Sequence, residues 1–94
     1  MQLLNKHRVK QFIERFPDSE ASLNHWMEAA EAADWATPAD IVKTFASADG
    51  VGDSKFIFDI AHNKYRLLAT VWFEAQRICT LKLMTHEEYD KEIW

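Results

Sequence analysis

The apolar positions along the chain change their period part-way through. Val9, Phe12, Ile13 and Phe16 fall at i, i+3, i+4 and i+7, one stripe of an amphipathic helix that stops at Pro17. Leu23, Trp26, Met27 and Ala30 repeat that spacing, with Asp18 or Ser19 as the expected cap and Glu20, Glu28, Glu31 and Asp34 on the outer face. Two stripes joined by a short PDS turn predict an antiparallel helix pair. Ahead of them, MQLLN is short and apolar and reads as an edge strand.

A second kind of start follows at Thr37, Pro38 and Asp40. Threonine accepts from a free backbone N–H, proline tolerates the first helical position, and aspartate favours the positive end of the helix dipole. The short helix it opens carries Ile41, Val42 and Phe45 and fades into ASADGVGDS, which holds both glycines and reads as the clearest loop. Beyond it the period becomes 2. Phe56, Phe58 and Ile60 share one face; Ala61, His62 and Asn63 make a turn in which asparagine best tolerates a left-handed backbone. Tyr65, Leu67, Ala69, Val71 and Phe73 then alternate with Arg66, Leu68, Thr70 and Trp72. After a tight connection at Glu74, Ala75 and Gln76, RICTLKL reads as a further strand. The prediction is a single α+β domain over residues 1–94. Its small antiparallel sheet combines a short N-terminal strand with a C-terminal three-strand meander. Two N-terminal helices pack on that sheet, and a short helix closes the chain.

Composition narrows the function classes. With 94 residues there is room for one core. Cys79 is the single cysteine, so neither a disulfide framework nor a cysteine-rich zinc site is available, and ICTLKL suits an inert strand residue. His7, His25, His62 and His86 lack ligand spacing, and no glycine-rich phosphate loop occurs, so neither metal nor cofactor is expected. No segment approaches a signal peptide or a membrane span, which leads to the expectation of a cytoplasmic protein with no membrane partner. The net charge of −4 does not favour a nucleic-acid binder. Its distribution does more. Residues 55–83 set Lys55, Lys64, Arg66, Arg77 and Lys82 against Asp59 and Glu74, whereas residues 17–54 carry eight acids against Lys43.

Candidate chemistry gathers in MTHEEYD, residues 84–90. Thr85 and Glu88 have capping-box spacing, which makes His86 the first helical residue and puts His86, Tyr89 and Asp90 on one face. An imidazole exchanges protons near neutral pH, a phenol one turn away can donate or accept a hydrogen bond, and a carboxylate can fix the imidazole tautomer. The simpler reading is a capped terminal helix with a surface histidine, and spacing alone does not displace it. Opposite it would stand HNKYR. If Tyr65 points to the helices, Lys64 and Arg66 point to the open face, where an arginine could hold a phosphate bidentately. An exposed strand cation is the plainer alternative. Lys82 could share that face. Trp26 and Trp35 fit the core, whereas Trp72 shares the face of Arg66 and could stack on a base.

These segments resemble the HigB-type toxins of bacterial type II toxin–antitoxin systems, on the RelE-like fold. The resemblance runs through nearly the whole chain, and its most specific pieces are N-K-Y-R at 63–66 and T-H-x-E-Y-D at 85–90. It implies a metal-independent mRNA interferase, an endonuclease cutting mRNA in the ribosomal A site. In such enzymes the message's own 2′-OH attacks phosphorus, giving a 2′,3′-cyclic phosphate. Matched by motif, His86 and Tyr89 are the proton-handling residues and Arg66 stabilises phosphate charge. Lys64 assists Arg66, Asp90 orients His86 or a neighbouring base, and Asn63 shapes the turn rather than touching RNA; Lys82 joins the substrate residues only by its place on the open face. The resemblance further implies a HigA-type helix-turn-helix antitoxin as partner, with operator DNA reached only through the complex. Departures are specific. Where the family commonly reads F-N-I-x-G-N, this chain has FDIAHN, with Asp59 and the pair Ala61 and His62, and the balance is acidic where such toxins are commonly basic. They leave a second reading, a catalytically weakened homologue that serves as an antitoxin-binding module.

Overall fold

A computed structural model describes residues 1–91. The chain runs β1 (Gln2–Leu3), α1 (Lys6–Arg15), one 3-10 turn (Pro17–Ser19), α2 (Glu20–Ala32) and α3 (Pro38–Thr44). It continues through β2 (Asp49–Gly52), β3 (Lys55–Ile60), β4 (Tyr65–Trp72) and β5 (Arg77–Thr85) to α4 (His86–Lys91). This is the mixed α+β arrangement expected, built on one five-stranded sheet in the order β1-β5-β4-β3-β2.

The alternation in β4 decides which face carries the core. Tyr65, Leu67, Ala69 and Val71 are buried with Val9 of α1, Leu23 and Trp26 of α2, and Ile41 of α3. Phe58 of β3 sits at the centre, with Trp26 and Phe45 ring centroids each 5.4 Å away in edge-on packing. Full burial of side chains this size contributes roughly 1.5–3 kcal/mol each, which is why the helices fold onto this face. The opposite face is not bare. Ile57, Leu68 and Met84 form a second small cluster there, with Val51, Leu81 and Tyr89 of α4 packed against it.

Three local expectations change. The first strand pairs with β5 in parallel, not within an antiparallel set. Buried Asn5 makes this possible where the chain turns into α1: its Nδ2 donates to the Thr80 carbonyl at 2.9 Å and its Oδ1 accepts from the Thr80 N–H at 3.1 Å. A side-chain amide thus imitates one more residue of strand. The glycine-bearing segment is not all loop, because Asp49–Gly52 forms β2, antiparallel to β3. Main-chain pairing along a free sheet edge does not need strand-forming side chains, so composition concealed it. Lastly, Ser19 occupies the cap position of α2 without a side-chain cap hydrogen bond. Its hydroxyl donates instead to the Phe16 carbonyl at 2.6 Å, and Asp18 is turned toward the β3–β4 turn. At α3 the expectation holds, with Asp40 Oδ2 accepting from the Ala36 and Thr37 N–H groups at 2.9 and 3.1 Å.

Candidate active site

The site begins with how α4 starts. Thr85 ends β5, and its N–H donates to Glu88 Oε1 at 3.1 Å while the Glu88 N–H donates to Thr85 Oγ1 at 3.2 Å. This reciprocal box makes His86 the first residue of the helix, as the spacing predicts. Arg15 of α1 adds a two-oxygen contact to Glu88, at 3.0 and 3.1 Å. The Thr85 N–H first, then Arg15, hold the Glu88 carboxyl below its ordinary 4.5. The cap therefore ties the end of the sheet to the first helix as well as opening α4.

Opposite α4, the β3–β4 turn carries three consecutive non-glycine residues in left-handed conformation: Ala61 (φ 56°), His62 (φ 53°) and Asn63 (φ 72°). That backbone aims the Asn63 carbonyl at α4. It accepts from His86 Nε2 and, at 3.3 Å, from Arg66 Nη1. A carbonyl only accepts, so in this contact Nε2 is the donor, and Nδ1 is the ring nitrogen left for other partners. The 3.4 Å approach of Arg66 Nη1 to His86 Nε2 is then two donors converging on one oxygen.

Arg66 joins the remaining pieces. Its Nη1 lies 3.0 Å from Asp59 Oδ1, the residue paired with it across β3 and β4, and both side chains are largely shielded from solvent. Its guanidinium carbon stands 5.5 Å from the Tyr89 ring centroid, within cation–π range. Arg66, His86 and Tyr89 therefore converge.

The other expected residues divide. Lys82 stands opposite Leu68 on the same open face as Arg66. Asp90 lies on α4, exposed, and forms no hydrogen bond to His86 among the described residues; the Asn63 carbonyl holds the ring instead. Lys64 does not turn to the open face. It precedes β4, swings to the helix side and pairs with Asp18, whose other oxygen accepts from the Tyr65 hydroxyl at 2.6 Å. Lys64, then Tyr65, lower the Asp18 carboxyl below 3.8, and Asp18 in turn raises Lys64 above 10.5 and Tyr65 above 10.0. On that side Lys64, Tyr65, Phe16, Thr85, His86 and Glu87 line a shallow cleft of about 400 Å³. His86 thus stands on a ridge between this cleft and the open face. Asp18 as a partner of HNKYR was missed, and nothing local could have shown it, since the two lie 46 residues apart.

Comparison with known proteins bears on this geometry directly. The family model of the HigB toxins, described as the RelE-like toxic component of a toxin–antitoxin system, matches residues 19–92. The chain belongs to the HigB toxin family. Membership implies an antitoxin as partner. Curated relatives include the mRNA interferase toxin HigB of Escherichia coli K12 and the mRNA interferase HigB of Escherichia coli O157:H7 and of Shigella flexneri. Each is 27% identical over 92 residues, covering 96% of this chain and 88% of the relative. The HigB family match spans both halves of the site, the β3–β4 turn with Arg66 beyond it and the start of α4. No helix of the described residues is long and apolar enough to cross a membrane.

Proposed function

We infer that this HigB-family chain acts as a cytoplasmic mRNA endonuclease, held silent by its antitoxin. The observation that carries the reading is the meeting of Arg66, His86 and Tyr89 across the end of β5. The chemistry needs a base for the 2′-hydroxyl, positive charge on the phosphate and an acid for the leaving oxygen. The 2′-oxygen forms a bond to phosphorus as the bond from phosphorus to the 5′-oxygen breaks, giving a 2′,3′-cyclic phosphate and a free 5′-hydroxyl. His86 Nδ1 takes the 2′ proton, the Tyr89 hydroxyl supplies one to the 5′-oxygen, and Arg66 meets the phosphate with the donors not engaged at Nη1. Lys82 and Asp90 border the substrate, and Asn63 acts through its carbonyl. Lys64 reaches RNA only on leaving Asp18. The message is presented in the ribosomal A site, and no metal enters these steps. The antitoxin is of the HigA helix-turn-helix type and brings the complex to operator DNA.

Growth arrest on induction, with cleavage sites mapped by primer extension, tests this. His86→Ala and Arg66→Ala should each abolish cleavage while the protein stays folded; undiminished cleavage in both would remove the site assignment. One observation favours a second reading, an antitoxin-binding module without cleavage: Asp59 and Asp18 already neutralise Arg66 and Lys64. Folded wild-type protein that binds antitoxin and cuts no message would establish that reading instead.

A further inference from the structure

The face of the sheet away from the helices extends well past Arg66. On β4 it carries Arg66, Leu68, Thr70 and Trp72, since Tyr65, Leu67, Ala69 and Val71 go into the main core. Cross-strand register adds cations along the way. Lys55 stands opposite Thr70, Lys82 opposite Leu68 and Arg77 opposite Trp72. At the far end Trp72 is 43% exposed. The other large exposed apolar side chains among the described residues lie elsewhere, Leu4 between β1 and α1 and Val42 on α3.

An indole beyond the small Ile57, Leu68 and Met84 cluster, on a face where Arg66, Lys55, Lys82 and Arg77 stand with Asp59 and Asp49, is a poor centre for a protein interface, which needs a contiguous apolar patch. It suits single-stranded nucleic acid, which binds by charge along the backbone and by bases laid on aromatic faces. The distance fits as well. Trp72 stands six positions beyond Arg66 along β4, roughly 20 Å at the usual rise, a span of several nucleotides of single strand. We propose that this face is the track of the message and that Trp72 is its stacking platform, with one base on the indole several nucleotides from the phosphate held by Arg66. Lys55, Lys82 and Arg77 follow the intervening phosphates. The inference rests on the RNA-cutting reading and adds to it a binding residue remote from the chemistry.

The test uses the full chain and messages on programmed ribosomes, with an abasic nucleotide introduced at one position at a time. Trp72→Ala should raise KM about 5- to 160-fold with kcat little changed, and Trp72→Phe should restore most of it. One abasic position, on one side of the cut, should cost wild type a similar factor and cost Trp72→Ala nothing further. An unchanged KM in Trp72→Ala, or no abasic position coupled to it, overturns the proposal while leaving the active site standing. Loss of antitoxin binding with normal cleavage would assign Trp72 to the antitoxin and equally overturn it. Absence of cleavage by the wild type would fell the endonuclease reading itself, a result distinct from either.

Discussion

Asp59→Asn should make the enzyme faster. In the structure the Asp59 carboxylate lies 3.0 Å from Arg66 Nη1, and both groups are largely screened from water. A phosphate on the opposite edge of the guanidinium would sit roughly 7 Å from that carboxylate. Two unit charges at that distance repel by about 0.6 kcal/mol at the dielectric of water and about 2.4 kcal/mol at an effective dielectric near 20. Free substrate does not feel this repulsion, so it raises the barrier in kcat/KM. At 1.36 kcal/mol per decade the range corresponds to roughly 3- to 60-fold. The asparagine oxygen can still accept from Nη1, so the arginine keeps its place. The assay is single-turnover cleavage of a defined message by purified wild type and variant. A gain inside that range supports the account, and it should shrink with added salt. A tenfold loss in folded protein would refute the reasoning and make the carboxylate a positioning group for Arg66.

Two further outcomes follow from the same neighbourhood. Ala61 holds φ 56° with no polar side chain to favour it, a conformation costing an L-residue roughly 1–2 kcal/mol. Ala61→Gly should recover part of that against glycine's greater unfolded freedom, raising Tm by a few degrees in a thermal melt; a lower Tm would show that the turn is unstrained. The contact joining Asp18 to Lys64 and Tyr65 should show in Tm against pH. Asp18 is lowered from 3.8, so its contribution is complete above that value and is lost as pH falls through the folded value. Lys64 and Tyr65 are raised, so theirs is complete below about 10 and is lost as pH rises through their folded values. The Tm difference between wild type and Asp18→Asn should be flat from pH 5 to 9 and narrow at both ends, and a uniform difference down to pH 2 would contradict it.

Much of this architecture was legible in the order of apolar residues. The stripe from Val9 to Phe16 and the alternation from Tyr65 to Val71 are enforced by burial, and burial is what periodicity records. The Thr85 and Glu88 box was readable for the same reason, since it closes within four residues. What stayed hidden depends on contacts distant in sequence or made by the main chain. Asn5 joining Thr80 across 75 residues, Asp18 turning from its helix to Lys64, and β2 pairing through backbone alone leave no local pattern. The site divides along the same line. His86, Tyr89 and Arg66 were chosen by spacing and motif, whereas the acceptor that joins two of them is a peptide oxygen, which no residue name reveals.

That oxygen carries a consequence for mutational surveys. Alanine scanning deletes side chains and leaves carbonyls in place, so Asn63→Ala would keep the group that receives both His86 and Arg66. A scan would then score the position by how well alanine tolerates a left-handed backbone, and would credit the outcome to a lost carboxamide. The informative changes re-aim the peptide, by a proline within the turn or a residue inserted into it, or weaken its oxygen as an acceptor, by an ester replacing the amide that follows Asn63. In this molecule one determinant of the imidazole's tautomer is inherited as the path of the chain, and sequence comparison by identity would count it as a loop.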